Sequence, residues 1–123
     1  INHLSEKEYR FIEFIMDNVD ISQGYFEIWK NNFRFGKFII QDMIDEKLCE
    51  RCLKILENFF LSDTQKFILE EYYEQLQDAM HEIAEHGENI KEIVVDKFMF
   101  WIDHPRSSQI LRDGLKKLLD ILK

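Results

Sequence analysis

Apolar residues recur along most of this chain at three- and four-residue spacing, which is typical of amphipathic helices, and no stretch alternates as a β-strand does. Helix-breaking residues are scarce, with four glycines and one proline among 123 residues. The pattern therefore predicts an all-α fold. A chain of this length folds as one domain, so we expect a single-domain bundle of six to seven helices over residues 1–123.

Capping signals and breaks set the predicted helix bounds. Ser5 and Glu8 form a capping box at the start of the first helix, and Ser62 with Gln65 forms another at the start of the longest one. Gly87 is expected to end that longest helix in the left-handed C-cap conformation that glycine favours. The helices after the first are predicted over 22–33, 45–61, about 62–86, 89–103 and from 107 or 108 onward, with a short apolar element at 38–43.

Further breaks bear on how these helices pack. Gly36 is a stop signal after the helix predicted over 22–33, and Pro105 separates the last two helices. Between Gly87 and Pro105, the 89–103 helix is apolar nearly all round, so we expect it at the centre of the bundle.

The chain is acidic, since 24 aspartates and glutamates against 16 lysines and arginines give a formal net charge of −8. An acidic surface repels phosphates, which argues against nucleic acid and anionic membranes as partners and favours a basic or neutral protein. No apolar run is long enough to span a bilayer and no basic-then-apolar leader opens the chain, so we expect no membrane insertion and a cytoplasmic protein.

Cys49 and Cys52, the only two cysteines, have the CxxC spacing of redox and zinc sites. A redox CxxC normally sits at a helix start and a zinc site needs four ligands, and the sequence indicates neither condition. Both cysteines lie on the apolar face of the helix predicted over 45–61. We therefore expect reduced thiols buried in the core.

Histidines are few and poorly spaced for catalysis. His81 and His86 are five residues apart, whereas the HExxH zinc motif places its histidines four apart. Asp78, His81 and Glu85 share one helical face and could hold a metal, although a solvated polar face is the favoured alternative. Nucleophile elbows, phosphate loops and paired catalytic carboxylates are absent from the sequence, so we expect neither an enzyme nor a metal protein.

Charged side chains form two clusters. The acidic stripe places five carboxylates three or four residues apart on the longest helix: Glu71, Glu74, Asp78, Glu82 and Glu85. This stripe is either an ordinary solvated face or a docking face for a basic protein. The basic cluster of Lys30, Arg34 and Lys37 is interleaved with phenylalanines, and it either holds an anion beside an apolar opening or lies at the rim of the domain.

The segment LQDAMHEIAEHGENIKEIV at 76–94, followed by FMFWI at 98–102, resembles the helix–glycine–helix junction of globin-like sensor domains in bacterial stressosome proteins. Residues 14–18 and Trp29 are similar to the opening of those domains, and related domains resemble the sensor region of sporulation kinases. The resemblance implies a globin-like bundle that generally lacks haem and, in the sporulation branch, accepts a fatty acid. Where haem-binding members place the proximal histidine, this chain has Ala84, so haem is not expected.

The resemblance also implies a pocket between the helices predicted over 45–61 and 62–86, floored by the 89–103 helix. Its expected walls are Cys52, Leu56, Phe59, Tyr72, Leu76, Met80, Phe98 and Trp101. Such a lining suits an alkyl chain, because each buried CH2 contributes about 0.8 kcal/mol. Arg34, Lys37 or His81 would bind a carboxylate at the mouth. Ordinary core packing is the alternative for all eight wall residues.

Two hypotheses from different classes follow. The first is a non-enzymatic, haem-free sensor domain that binds a small apolar ligand such as a fatty acid. It would dimerise through its last two helices and control a stress or sporulation kinase through protein contacts. The second is an acidic interaction module without a ligand, such as an immunity or antitoxin protein that covers a basic active site. A helical-repeat fragment is a third idea, but the sequence lacks the fixed period that repeats require.

Overall fold

The computed structural model describes residues 4–18, 33–62 and 65–123, and every regular element within these ranges is an α-helix. The helices are α1 (Glu6–Asn18), α2 (Phe33–Asp42), α3 (Cys49–Phe60), α4 (Gln65–His86), α5 (Glu88–Asp103) and α6 (Gln109–Leu122). The all-α prediction is thus confirmed. The helix predicted over 22–33 falls outside the described residues, apart from Phe33, which begins α2. None of the six helices combines the length and the apolar composition needed to cross a bilayer.

Side-chain caps begin two helices where the sequence predicts them. The Ser5 hydroxyl accepts a hydrogen bond from the Glu8 backbone N–H at 3.2 Å, and the Ser5 backbone N–H donates to Glu8 Oε1 at 3.1 Å. This is the predicted capping box of α1. At α6, Ser108 Oγ accepts from the Leu111 N–H at 3.2 Å, so Ser108 is the N-cap.

Two local predictions are wrong. α3 begins at Cys49 rather than at residue 45, because the Asp45 carboxylate accepts a hydrogen bond from the Lys47 N–H at 2.8 Å and holds residues 45–48 in a turn. Gly36 does not stop a helix but lies inside α2. A glycine inside a helix is a weak breaker, and packing against a neighbouring helix outweighs its propensity.

The break between α4 and α5 is a single residue, Gly87, and its conformation differs from the prediction. Its φ of −100° and ψ of 37° are outside the left-handed region. The Gly87 carbonyl accepts hydrogen bonds from the N–H groups of Ile90 and Lys91, so this residue starts α5. A Cβ at Gly87 would lie 2.8 Å from the Ile83 Cα. Glycine is needed here for close approach rather than for a positive φ.

The core is organised around α4, which packs against α2, α3, α5 and α6. The expectation that the 89–103 helix is central is therefore wrong. That segment forms α5, which packs against α3, α4 and α6 but leaves Met99 and Phe100 about half exposed. The longer α4 has room along its length for four neighbours, which hydrophobicity alone does not reveal.

Two glycines face large side chains of α4. A Cβ at Gly114 of α6 would lie 2.7 Å from Cδ2 of Leu69, and a Cβ at Gly36 of α2 would lie 2.5 Å from Cζ of Tyr72. Carbon atoms pack at about 3.5–4.0 Å, so both positions leave no room for a methyl group. The absence of a side chain lets α2 and α6 approach α4 closely.

Polar contacts attach α1 to α2 and α3. Arg51 of α3 donates hydrogen bonds to Glu13 at 2.6 and 3.0 Å and to Glu6 at 2.8 and 3.1 Å. Its guanidinium also lies 4.7 Å from the centroid of the Tyr9 ring. The buried Tyr9 hydroxyl donates to Asp42 Oδ2 of α2 at 2.6 Å. Ion pairs and buried hydrogen bonds therefore supplement a small apolar contact at this helix.

Candidate functional site

A groove runs between α2 and α4, and we call it the α2–α4 groove. On each side of the groove, the lining residues are one, three or four positions apart, as expected for one face of a helix. The α2 side, with the turn that follows it, contributes Lys37, Ile40, Gln41 and Ile44, and the α4 side contributes Gln75, Asp78, Ala79 and Glu82. Its volume is about 330 Å³. A groove of this size accepts one extended side chain or a small molecule.

The groove has an apolar floor and a charged rim. Ile40 and Ala79 are buried, whereas Lys37, Asp78 and Glu82 are exposed. No salt bridge between described residues involves any of these three charged groups. The rim therefore presents two carboxylates and one ammonium group that remain open to a charged ligand.

Gln75 supplies an unusual polar group at this groove. Its Oε1 atom is buried and has no hydrogen-bond partner, and no other buried side-chain nitrogen or oxygen of the described residues shares that property. Leaving a buried amide oxygen without a donor costs about 1–3 kcal/mol. Exceptions of this kind are rare in folded proteins.

The predicted acidic stripe lies on α4, and all five of its members are exposed. Two of them, Asp78 and Glu82, also line the α2–α4 groove. Across the described part of the chain, Glu85 is the only stripe member in a salt bridge, with His86 Nε2 at 3.7 Å. The stripe thus joins the groove in one continuous acidic face.

The eight predicted pocket walls lie together in the hydrophobic core. Each is at most 1% exposed: Cys52, Leu56, Phe59, Tyr72, Leu76, Met80, Phe98 and Trp101. The Trp101 ring lies 5.2 Å from the ring of Phe98 and 5.3 Å from that of Phe60, centroid to centroid. None of the eight residues lines the α2–α4 groove.

The three predicted carboxylate-binding bases are separated. Lys37 lines the α2–α4 groove, whereas His81 is exposed on α4 and does not line it. The side chain of Arg34 lies outside the described part of the structure, as does Lys30. Lys37 is therefore the member of the basic cluster that the structure brings to a concave site.

No protein-family model, curated protein or solved structure matches this chain. Its function must be inferred from its own residues.

The cysteines occupy the first turn of α3, contrary to the expectation that the CxxC does not begin a helix. Both thiols are nevertheless fully buried, as predicted. Burial raises the pKa of Cys49 to about 11 and that of Cys52 to about 12. A reactive CxxC needs a lowered pKa, so the chemistry here is the opposite of that in a redox motif.

Cys52 takes part in a buried polar chain. Its Sγ lies 3.3 Å from the Tyr9 hydroxyl, whose single hydrogen is donated to Asp42 Oδ2. Cys52 is therefore the donor to Tyr9. Burial, then the hydrogen bond to Asp42, raises the pKa of the Tyr9 hydroxyl. All three groups are satisfied in the neutral thiol and phenol forms, which is a structural arrangement rather than a catalytic one.

Metal binding finds no support in the described ranges, where no three His, Cys, Asp or Glu side chains converge. This includes Asp78, His81 and Glu85, the set that shares a helical face in the sequence.

The sequence does not indicate that Gln41 and Gln75 line a common groove, or that this groove has an apolar floor. The one available signal is the repeat of mixed polar and apolar residues at positions 37, 40, 41 and 44 and again at 75, 78, 79 and 82. It becomes informative only when two helices are known to be neighbours.

Proposed function

We propose that this chain is a non-enzymatic regulatory domain that binds a basic protein surface through the acidic stripe of α4. The supporting observation is that all five stripe carboxylates are exposed and that four lack a salt bridge within the described residues. Like charges one turn apart destabilise a helix by a few tenths of a kcal/mol per pair, so the stripe is unfavourable in the free protein. A basic partner would relieve this repulsion and would also be steered toward the acidic face.

The family context of this proposal is the globin-like sensor domain. Residues 76–94, which resemble the helix–glycine–helix junction of those domains, form the end of α4, Gly87 and the start of α5. In that context the basic partner is a component of a stress or sporulation kinase pathway. A domain of the immunity or antitoxin class would use the same face against a basic active site.

A fatty acid or other small apolar ligand in the core is the second candidate function. The observation that favours it is the clustering of all eight predicted wall residues in one core. Because these side chains are fully buried, a ligand would have to displace some of them on entry. Native mass spectrometry of the protein purified from cells should then detect a bound lipid, and a ligand-free protein would eliminate this candidate.

Homodimerisation through α5 and α6 belongs to the same proposal. Large apolar side chains are about half exposed on these two helices, namely Met99, Phe100 and Ile110. Exposed patches of this kind are typical of protein contact sites. Light scattering of Phe100→Glu against the unmodified chain tests the dimer, which the substitution should dissociate.

Neutralising the stripe tests the principal proposal. In the variant Glu74→Gln/Asp78→Asn/Glu82→Gln, we expect weaker binding of a fluorescein-labelled peptide of alternating arginine and alanine, followed by anisotropy at low salt. Each exposed charge contributes roughly 0.5 kcal/mol, so three should reduce the affinity roughly tenfold.

A charge-matched control separates the stripe from the net charge. Glu92, Asp96 and Asp103 are exposed on α5, and neutralising all three changes the protein charge by the same amount. The control variant should keep most of the affinity. If both variants lose affinity equally, binding depends on net charge alone and the stripe proposal fails.

A further inference from the structure

We infer that two copies of this chain associate groove to groove between α3 and α5, with Phe100 of each copy inserted beside Ile93 of the other. We call this surface the α3–α5 groove. The inference rests on the homodimer proposed above. It goes further by adding α3 to the interface and by naming the symmetry and the contacts of the dimer.

The α3–α5 groove consists of two pockets that meet end to end. The Ile93 pocket has a volume of about 390 Å³ and is lined by Glu50, Leu53, Lys54 and Ile93. The Phe100 pocket has a volume of about 430 Å³ and is lined by Asn58, Leu61, Phe100, His104 and Arg106. Glu57 and Lys97 line both pockets. Residue numbers rise along both helices from the first pocket to the second, so α3 and α5 run parallel along the groove.

An ion pair marks the midpoint of the groove. Lys97 Nζ lies 2.9 Å from Glu57 Oε1, and the buried Trp101 donates its indole N–H to the same oxygen at 3.0 Å. Phe100 follows Lys97 by three residues and Ile93 precedes it by four, which corresponds to roughly 4.5 and 6 Å along a helix axis. A two-fold axis perpendicular to the groove at this midpoint therefore brings Phe100 of each copy over the Ile93 pocket of the other.

Phe100 has the properties of an interface anchor. Its side chain is about half exposed, and Lys97 Nζ and the His104 ring flank it at 5.4 and 5.7 Å from its ring centroid. The Ile93 pocket offers it the buried Leu53 and the partly buried Ile93 as apolar lining. An apolar cavity of about 150 Å³ holds a benzene ring, so this pocket is large enough for a phenyl group. Aromatic side chains that fill such pockets dominate the binding energy of interfaces.

The charges of the groove fit a second copy of the chain. Each copy carries a formal charge of −8, so two copies repel each other except at a face where charges balance. The groove lining contains three cations and two carboxylates, in contrast to the acidic stripe. Glu50 lies at one end and Arg106 at the other, so the two-fold arrangement directs Glu50 of each copy toward Arg106 of the other. This pattern is self-complementary, as the interface of a two-fold dimer must be.

A charge swap tests the arrangement, with the dimer Kd of the full chain measured by sedimentation equilibrium at low salt. Arg106→Glu should raise this Kd roughly tenfold to thirtyfold, because a two-fold dimer contains the Glu50–Arg106 pair twice. Glu50→Arg alone should have a similar effect. The double variant Glu50→Arg/Arg106→Glu should return the Kd to within roughly threefold of that of the unmodified chain. Since the two residues lie at opposite ends of the groove within one chain, this restoration requires a contact between copies.

A charge-matched control separates the contact from the net charge. Lys7 is exposed on α1 and does not line the groove, and Lys7→Glu changes the charge by the same amount as Arg106→Glu. The double variant Glu50→Arg/Lys7→Glu should therefore keep the weakened association of Glu50→Arg. If it recovers as fully as the charge swap does, net charge alone governs association and the inference is wrong.

A second pair of variants tests the anchor. Phe100→Ala should raise the dimer Kd at least tenfold, as the loss of an aromatic anchor should. Met99 is also about half exposed on α5 but does not line the groove, so Met99→Ala should leave the Kd within roughly twofold. Equal effects of the two substitutions would overturn the insertion of Phe100. Circular dichroism verifies that all variants remain folded.

The outcomes also separate this inference from the proposed function. If Phe100→Glu dissociates the dimer but the charge swap does not restore association, the dimer stands and its groove-to-groove arrangement is wrong. A chain that is monomeric at every concentration measured eliminates the dimer and this inference together. The stripe proposal is tested by its own peptide assay, and neither result changes it.

Discussion

Replacing Gly114 by alanine adds one methyl group where α6 packs on α4. The new Cβ would lie 2.7 Å from Leu69 Cδ2 and 3.0 Å from Leu69 Cδ1. Both separations are well below the optimum of about 3.5–4.0 Å for carbon atoms. Leu69 is only 6% exposed, so its side chain has little room to move away.

Two opposing effects set the expected change in stability. Alanine is favoured over glycine inside a helix by about 1 kcal/mol, and overpacking a buried site costs about 1–3 kcal/mol. We therefore expect Gly114→Ala to lower the free energy of unfolding by about 1 kcal/mol. The helix propensity can be measured separately with Ala84→Gly at an exposed position of α4, where packing plays no part.

Urea denaturation followed by far-ultraviolet circular dichroism measures these changes, and a double-mutant cycle with Leu69→Ala tests their cause. Leu69→Ala alone should cost about 2–5 kcal/mol, because it leaves a cavity. In the Gly114→Ala background, Leu69→Ala should cost at least about 1 kcal/mol less than it does in the unmodified chain, since the new methyl group occupies part of that cavity. Additive effects, or a stabilised Gly114→Ala variant, would refute the close contact between α6 and α4.

The remaining predictions concern the thiols and the attachment of α1. Because burial raises the pKa of Cys49 to about 11 and of Cys52 to about 12, their thiolates form first in the unfolded chain. Stability should therefore be retained below about pH 9 and fall as the pH rises toward 11, by about 1.4 kcal/mol per pH unit and thiol. Urea midpoints should show this slope, and an unchanged slope in Cys49→Ala/Cys52→Ala would contradict it. Arg51→Met should lower stability by about 1 kcal/mol at low salt and by less at high salt, whereas Lys54→Met, an exposed neighbour on α3, should have no effect. Equal losses in the two variants would show that the ion pairs of Arg51 with Glu6 and Glu13 contribute no stability beyond that of an exposed charge.

Helix content and several helix starts could be predicted because they depend on neighbouring residues. The apolar spacing of residues 65–86 and the Ser5–Glu8 capping box are local properties, and both appear as expected. The predicted start of α3 at residue 45 is too early, because the turn held by Asp45 competes with a helix over the same residues. The sequence predicts a left-handed conformation at Gly87, whereas the structure uses this glycine for a close approach to Ile83, which sequence does not reveal.

The candidate site was only half predictable for the same reason. The acidic stripe repeats along one helix, so its exposure follows from helical periodicity. The groove needs residues 37–44 to meet residues 75–82, and nothing local indicates that pairing. The unpartnered Oε1 of Gln75 is a property of the assembled interior alone.

The attachment of α1 has a kinetic consequence. Its main packing is against α3, and it relies on the Arg51 ion pairs and on the Tyr9–Asp42 hydrogen bond, whereas α4, α5 and α6 are joined by the apolar core. Helices held in this way open locally at a lower free energy than the whole domain. Amide hydrogens of α1 should thus exchange with solvent before those of α4, and salt should accelerate the exchange of α1 selectively. Since the Tyr9 hydroxyl contacts Cys52 Sγ, each such opening breaks this contact, and we expect the rate at which Cys52 reacts with a thiol-alkylating reagent to follow the opening of α1.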